Sequence, residues 1–153
     1  MNRTIKLTFP ELNIEVRAAL LEQEEPEMCD FLWKSLDKPM KTACVHTLST
    51  GEFVMARCRP PREALKTGTQ DHPLGRTQSK LGERKPGEIS FTGLMYELVY
   101  GGNITEPLEG CAGVCARVLE EDLDAFYKAG RGVWASHVKT HELVTMTVER
   151  MEG

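Results

Sequence analysis

Two stretches near the start of the chain alternate strictly between apolar and polar residues. Ile5, Leu7 and Phe9 fall on one face of residues 4–9, and residues 12–18 repeat the alternation after a short break. Successive side chains of a β-strand point to opposite sides, so each stretch predicts a strand with one buried face. The short connection between them predicts a hairpin, and therefore an antiparallel sheet.

Several later stretches show the same preference for strands. They are residues 42–48, 52–58, 89–100, 111–119 and 143–151. The first two flank Ser49, Thr50 and Gly51, which are typical turn residues, and so predict a second hairpin. With the stretch 89–100 interrupted at Gly93, the chain is expected to contain about seven or eight strands.

Two other segments predict helices. The first follows the acidic run 22–27, has Pro26 in its first turn and ends before Pro39. The second begins at the acidic residues 120–122, and Gly130 is placed to end it. Both segments carry apolar residues at helical spacing, so each helix is expected to cover one side of a sheet.

Many short antiparallel strands with only two short helices predict a mainly β fold, a β-barrel that is closed or nearly closed. The length of 153 residues is typical of one domain, so we expect residues 1–153 to form a single domain. Residues 59–88 differ from the rest because they are rich in Gly and Pro and poor in large apolar side chains. They predict a long loop, and such loops in compact domains are often functional.

The overall composition argues against several classes of protein. Acidic residues outnumber basic ones by 23 to 19, whereas binding to nucleic-acid phosphates needs clustered Lys and Arg. No apolar run is long enough to cross a membrane, and the polar start lacks the apolar core of a signal peptide. The five cysteines are an odd number, which favours reduced thiols. We therefore expect a cytoplasmic protein with neither nucleic-acid nor membrane partners.

Three short motifs resemble those of a known group of proteins. The turn Pro-Gly-Glu-Ile at 86–89, the strand end Glu-Leu-Val-Tyr-Gly at 97–101 and the strand within 110–119 resemble uncharacterised bacterial and archaeal proteins with a cyclophilin-like barrel. His46 followed by Thr-Gly-Glu at 50–52 is similar to a segment in one branch of that group. The resemblance implies a closed barrel of about eight strands with helices at its ends. It does not imply prolyl isomerase activity, because the sequence has no Phe-His-Arg run.

His46 is the first candidate for a ligand-binding residue. It lies in a predicted strand, and the partner strand of the same hairpin carries Glu52 and Arg57. An imidazole that titrates near neutrality, beside a carboxylate and a guanidinium, suits the binding of a small carboxylate or amide. The alternative is a purely structural histidine, which is the more frequent role of a lone histidine in a strand.

Glu97 is the second candidate, because it is a carboxylate on a strand whose two faces are both largely apolar. A carboxylate in such a place must be paired, hydrogen-bonded or neutral. It is either an acid or base in a pocket or a side chain satisfied by a nearby Arg or Lys at one end of the barrel. Tyr100 lies on the opposite face of the strand and, with Tyr96 and Phe91, forms either a pocket wall or part of the core.

No metal site and no cofactor are predicted. Cys111 and Cys115 would share a strand face, but no second cysteine pair accompanies them, so buried thiols fit better than a zinc site. His137 and His141 have helical spacing but lack the His-Glu-x-x-His pattern. The glycine-rich segments match neither the dinucleotide-binding nor the phosphate-binding pattern, and there is no nucleophile elbow.

Three functions are compatible with these features. The preferred one is binding of a small metabolite at the mouth of the barrel, with the ligand-binding candidates His46, Glu52, Arg57, Glu97 and Tyr100. The second is a small hydrolase or isomerase that uses His46 or Glu97 as acid or base. The third is a structural subunit of a homo-oligomer or of a larger enzyme assembly. The sequence leaves open whether the protein is an enzyme.

Overall fold

The computed structural model describes residues 2–59, 62, 71–105, 110 and 112–152. Within these residues the chain forms eight strands and two α-helices. The strands are β1 (Thr4–Phe9), β2 (Ile14–Leu20), β3 (Met40–His46), β4 (Gly51–Arg57), β5 (Glu88–Phe91), β6 (Met95–Ile104), β7 (Val114–Val118) and β8 (Thr145–Arg150). The helices are α1 (Pro26–Ser35) and α2 (Leu123–Ala135).

The eight strands form a closed barrel in which every neighbouring pair is antiparallel. The order around the barrel is β1, β2, β7, β5, β6, β4, β3 and β8. The last strand in the chain, β8, pairs with both β1 and β3 and so closes the barrel. The predicted mainly β fold, a barrel of about eight strands with two short helices, is confirmed.

The barrel interior is filled by the apolar faces that the alternation predicted. Ile5, Leu7 and Phe9 of β1 are all buried, and Leu7 lies opposite Val16 of β2. Burying one such side chain contributes about 1.5–3 kcal/mol. The interior is therefore a packed core.

Helix α1 begins at Pro26, as predicted, and buries Met28, Cys29 and Leu32 against the barrel. Its last helical residue is Ser35, ahead of Pro39. None of the helices in the described part of the chain is both long and apolar enough to cross a membrane.

Helix α2 runs further than predicted. The sequence indicated that Gly130 would end this helix, but the helix continues to Ala135 and is followed by a π-helical turn over Ser136–Thr140. Gly130 has a different role, because a Cβ at this position would lie 2.2 Å from ring atoms of Tyr100. The glycine allows the helix to approach strand β6 closely.

Strand β6 also runs further than predicted. The stretch 89–100 divides at Gly93, which has a positive φ of 92°, into β5 and β6. The stretch predicted as strand ended at residue 100, whereas β6 continues to Ile104. A Cβ at Gly101 would lie 2.5 Å from the carboxylate of Glu52, so this glycine also makes room for a neighbour.

The predicted loop 59–88 is described at residues 59 and 62 and from residue 71 onward. Its described part is held against helix α1 by the buried carboxylate of Glu25. This carboxylate accepts hydrogen bonds from the backbone N–H groups of Arg76 and Thr77 and from the hydroxyl of Thr77. Leu81 then packs into a small apolar cluster separate from the main core. This part of the loop is thus a fixed component of the fold.

Candidate functional site

A cavity of about 450 Å³ lies at the end of the barrel that helix α2 covers. Its walls come from the β3–β4 hairpin, from the second half of β6 and from one face of α2. The lining side chains include His46, Glu52, Tyr100, Asn103, Tyr127, Arg131 and Trp134. Three of the five predicted ligand-binding residues, His46, Glu52 and Tyr100, therefore line one cavity.

His46 is held in position by both nitrogens of its ring. Nδ1 lies 2.7 Å from the backbone carbonyl oxygen of Thr47, and Nε2 lies 2.7 Å from the hydroxyl oxygen of Tyr100. A carbonyl only accepts hydrogen bonds, so Nδ1 carries a proton. Burial lowers the pKa of His46, against the opposing effect of the Thr47 carbonyl. The neutral ring that results accepts the Tyr100 hydroxyl proton at Nε2.

Tyr100 connects His46 with helix α2. Its hydroxyl donates to His46 and interacts with the guanidinium of Arg131. Burial raises the pKa of Tyr100, although the Arg131 interaction works in the opposite direction. The hydroxyl therefore stays protonated at neutral pH and links a strand residue to a helix residue.

The carboxylate of Glu52 accepts hydrogen bonds from neighbouring groups of the protein. Its Oε1 accepts hydrogen bonds from the backbone N–H of Asn103, at 3.1 Å, and from the side-chain amide of Asn103, at 2.7 Å. The Tyr127 hydroxyl also interacts with the carboxylate. Burial alone would raise the pKa of Glu52, but these hydrogen bonds outweigh it and lower the pKa. Glu52 is thus an ionised group that fixes β4, β6 and α2 relative to one another.

Helix α2 contributes three side chains to the cavity that were not predicted as site residues from the sequence. Tyr127, Arg131 and Trp134 line the cavity and follow one another at spacings of four and three residues. This spacing places them on one face of a helix. The signal was present in the sequence, but the assumption that the helix ends at Gly130 excluded Arg131 and Trp134.

Four of the described residues that line the cavity carry rings: His46, Tyr100, Tyr127 and Trp134. The ring of His46 meets Trp134 edge to face, with centroids 5.0 Å apart, and meets Tyr100 at 5.6 Å. The rings of Tyr100 and Tyr127 also pack edge to face, at 5.7 Å. Such a wall can hold a flat ligand, and the hydrogen-bonding groups between the rings can orient it.

Arg57 lies apart from this cavity. It is the last residue of β4, it is exposed, and its register partners are Ala43 of β3 and Met95 of β6. Val54 and Ala56 of β4 pack into the main core, so the alternation places Arg57 on the other face of the sheet. The structure does not bring Arg57 together with His46.

Glu97 also lies apart from the cavity, on the face of β6 opposite to Tyr100. It is buried, and its Oε1 lies 3.6 Å from Nη1 of Arg84, whose side chain is fully buried. Across the sheet it faces Ser90 of β5. Burial raises the pKa of Glu97, and the nearby Arg84 only partly offsets this effect. One of the two alternatives for Glu97 was a nearby Arg or Lys, and Arg84 lies in such a position.

The pair between Arg84 and Glu97 is incompletely hydrogen-bonded. Among the described residues, Nε and Nη1 of Arg84, Oγ of Ser90 and Oε1 of Glu97 are buried without a hydrogen-bond partner. Only Nη2 of Arg84 is bonded, to the carbonyl oxygen of Ala112 at 2.8 Å. For such a buried pair, the cost of removing two charges from water offsets most of their mutual attraction.

The histidines and cysteines considered as metal ligands have other environments. His137 accepts a hydrogen bond from the backbone N–H of His46, and His141 ends the π-helical turn with a positive φ of 58°. Cys115 is buried, and Cys111 lies outside the described residues. In the part of the chain that the structure describes, no three His, Cys, Asp or Glu side chains cluster as metal ligands would.

Comparison with known proteins gives a likeness in fold. No protein-family model and no curated protein matches the sequence. The structure of McbB in complex with tryptophan superposes on 97% of this chain with a TM-score of 0.81 at 23% sequence identity. The hypothetical protein AF2241 from Archaeoglobus fulgidus superposes on 98% of this chain with a TM-score of 0.55 at 12% identity, and the match covers 95% of AF2241. The present chain spans 45% of the McbB chain.

Proposed function

We propose that this protein binds a small metabolite in the cavity between the β3–β4 hairpin, β6 and α2. The observation that carries the proposal is the convergence of His46, Tyr100 and Arg131, which lie on three different elements and meet at the cavity wall. There a hydrogen bond joins His46 to Tyr100, and Arg131 interacts with the Tyr100 hydroxyl. A volume of about 450 Å³ lies within the range of typical small-molecule sites.

The proposed ligand is a small carboxylate or amide. The hydrogen-bonding groups at the wall would orient its polar end, and the rings would cover its apolar part. The likeness to McbB supports this class of ligand, because McbB was solved in complex with tryptophan, a small molecule with a carboxylate and a flat ring. Of the predicted binding residues, we assign His46, Glu52 and Tyr100 to this cavity. A contribution from Arg57 or Glu97 stays a prediction.

A thermal-shift screen followed by calorimetry tests the proposal. Ligands that bind only the folded protein raise the melting temperature by mass action. The panel would contain small carboxylates, amides and amino acids, with and without aromatic rings. The proposal expects a hit whose affinity falls when His46 is replaced by Ala and stays unchanged with Lys128→Ala. Lys128 is an exposed residue of α2 that does not line the cavity. A blank over the whole panel, on well-folded protein, would count against the proposal.

The enzymatic alternative, a small hydrolase or isomerase, is favoured by one observation. The contact of 2.7 Å between His46 Nε2 and the Tyr100 hydroxyl places a proton donor and an acceptor at the cavity wall. Glu97, the other predicted acid or base, could act only in a second site beside Arg84. Incubation of each hit with the protein, followed by NMR of the ligand, would detect turnover. A role for either residue predicts that His46→Gln or Glu97→Gln abolishes turnover.

A role as a structural subunit is the third candidate. Leu48 and Leu143 are exposed over 75% and 65% of their surface, which offers apolar area for self-association. Sedimentation of wild type and of a Leu48→Ser variant would test a homo-oligomer, and cell fractionation would test the cytoplasmic location. We also propose kinship with the uncharacterised cyclophilin-like proteins, on the motifs at 86–89 and 97–101. An experimental structure compared with a cyclophilin, strand by strand, would test it.

A further inference from the structure

The charged groups of the cavity are unequally available to a ligand. Among the described residues that line it, the ionised side chains are Glu52 and Arg131, and His46 is neutral. One is an anion and one is a cation, so the cavity could in principle bind both ends of an amino acid. Whether it does depends on how far each group is already used by the protein.

The Glu52 carboxylate is already used. Two N–H groups of Asn103 donate to its Oε1, the Tyr127 hydroxyl also interacts with it, and a Cβ at Gly101 would lie 2.5 Å from it. The side chain is also buried, so an ammonium group of a ligand would have to compete with these groups for the carboxylate. The cavity therefore gains little by binding an amine.

The guanidinium of Arg131 has donors to spare. It carries five N–H groups in a planar fork. Among the described residues it interacts with the Tyr100 hydroxyl and, through its charge, with Glu52. The side chain is exposed, and its Cζ lies 5.9 Å from the ring centroid of Trp134. A carboxylate fits two parallel N–H groups of such a fork.

The rings beside Arg131 are positioned to hold a flat group. Tyr127 precedes Arg131 by one helical turn and Trp134 follows it, so the cation lies between two aromatic side chains on the same face of α2. His46 closes the inner side, edge to face with Trp134. A ligand whose carboxylate meets Arg131 would thus place an attached ring against aromatic surfaces.

We propose that the cavity selects aromatic carboxylates, with Arg131 binding the carboxylate, the aromatic face of α2 binding the ring, and no requirement for an amine. The inference rests on the proposed binding function and specifies its ligand class. Arg131 becomes the residue that determines specificity, while Glu52 maintains the shape of the cavity.

Calorimetry with four indole compounds tests this selection, because they share one ring and differ in charge. The compounds are indole-3-acetate, tryptophan, tryptamine and indole-3-acetamide. We expect indole-3-acetate and tryptophan to bind within a few-fold of each other. Tryptamine and the acetamide should bind at least about 10-fold more weakly, since they lack the charge-assisted pair.

The variants Arg131→Met and Lys128→Met provide the matched comparison. Both replace an exposed cation of α2, but only Arg131 lines the cavity. Arg131→Met should weaken indole-3-acetate by about 10- to 100-fold and remove its advantage over the acetamide. Lys128→Met should leave both affinities unchanged. Circular dichroism would verify that both variants are folded.

Two results would overturn the inference. One is that tryptamine binds as tightly as indole-3-acetate or more tightly. The other is that Arg131→Met keeps the preference for indole-3-acetate over the acetamide. If no indole compound binds while another compound of the wider panel does, the ligand class proposed here is wrong and the binding function stands. If nothing in the wider panel binds, both proposals fail.

Discussion

The Nε2 atom of His46 and the hydroxyl oxygen of Tyr100 lie 2.7 Å apart although 54 residues separate them in the chain. His46 ends β3 and Tyr100 lies in β6, and these strands are separated in the barrel by β4. The hydrogen bond therefore crosses the interior of the barrel end rather than joining neighbours in the sheet. It fixes the tautomer of His46 and the position of the Tyr100 ring at the same time.

Removal of the Tyr100 hydroxyl should cost stability. In Tyr100→Phe, Nε2 of His46 is left without its donor, so we expect a loss of about 1 kcal/mol in the free energy of unfolding. Urea denaturation measures it. Tyr96→Phe is the matched control on the same strand, since among the described residues the Tyr96 hydroxyl hydrogen-bonds only to the sulfur of Met40, at 3.6 Å. Equal losses in the two variants would contradict the assigned role of the hydrogen bond.

The lowered pKa of His46 predicts a dependence of stability on pH. Burial holds the pKa below the usual value of 6.5. The unfolded chain therefore takes up the proton first, and the stability that neutral His46 contributes is complete above 6.5 and is lost as the pH falls through the lowered pKa. The melting temperature of wild type should fall more steeply between about pH 7 and 5 than that of His46→Gln.

The control for this pH dependence is His141→Asn, which removes an exposed imidazole at a position of positive φ that Asn accepts. This variant should keep the wild-type slope. If His46→Gln also kept the wild-type slope, His46 would not be the group responsible for the pH dependence.

Gly130→Ala should disturb the site because the new Cβ would lie 2.2 Å from the Tyr100 ring. Overpacking of this kind costs about 1–3 kcal/mol, against a gain of about 1 kcal/mol from helix propensity. Gly132→Ala has the same gain in propensity, and its Cβ would meet only the side chain of Leu12, which can move. Chemical denaturation should show a net loss for Gly130→Ala and a change near zero for Gly132→Ala. The reverse order would contradict the close approach of α2 and β6.

Replacement of Glu97 by Gln should change how the stability of the protein depends on pH. The folded-state pKa of Glu97 is raised above its usual 4.5, so its contribution to stability is complete below 4.5 and is lost as the pH rises through the raised pKa. Glu97→Gln cannot ionise and avoids this loss. Unfolding measured from about pH 4 to 8 should show the variant gaining on wild type as the pH rises.

A large loss of stability in Glu97→Gln at neutral pH is the contrary outcome. Removal of one partner of a buried charge pair costs about 3–5 kcal/mol, because the other charge is left buried and unpaired. A loss of that size would mean that Glu97 is ionised beside Arg84 in the folded protein.

Glu25→Gln should release the loop that precedes β5. The variant amide cannot accept all the hydrogen bonds that Arg76 and Thr77 donate to the carboxylate, so a loss of about 1–3 kcal/mol is expected. Hydrogen exchange should become faster at the amides of Arg76 and Thr77. Glu27→Gln is the control, because exposed Glu27 touches the same loop only through an ion pair with the Arg76 side chain. Equal effects of Glu25→Gln and Glu27→Gln on hydrogen exchange would contradict the role of Glu25 in holding the loop.

Much of the fold follows from the sequence, because strand pattern is a local property. The alternation of Ile5, Leu7 and Phe9 fixes which face of β1 is buried, and the structure buries that face. The same period also separates Glu97 from Tyr100, which lie three residues apart on opposite faces of β6. The prediction that both residues line one pocket therefore conflicts with that period.

The tertiary structure alone decided which residues meet. The order of strands in the barrel places β6 beside β4 and β5 and lets Tyr100 reach His46, and no local pattern encodes that order. Gly101 and Gly130 resemble breakers in the sequence, yet each lies within an element because a neighbouring side chain needs the space of a Cβ. Backbone propensity and side-chain period act over a few residues, whereas these contacts depend on barrel closure, which joins distant parts of the chain.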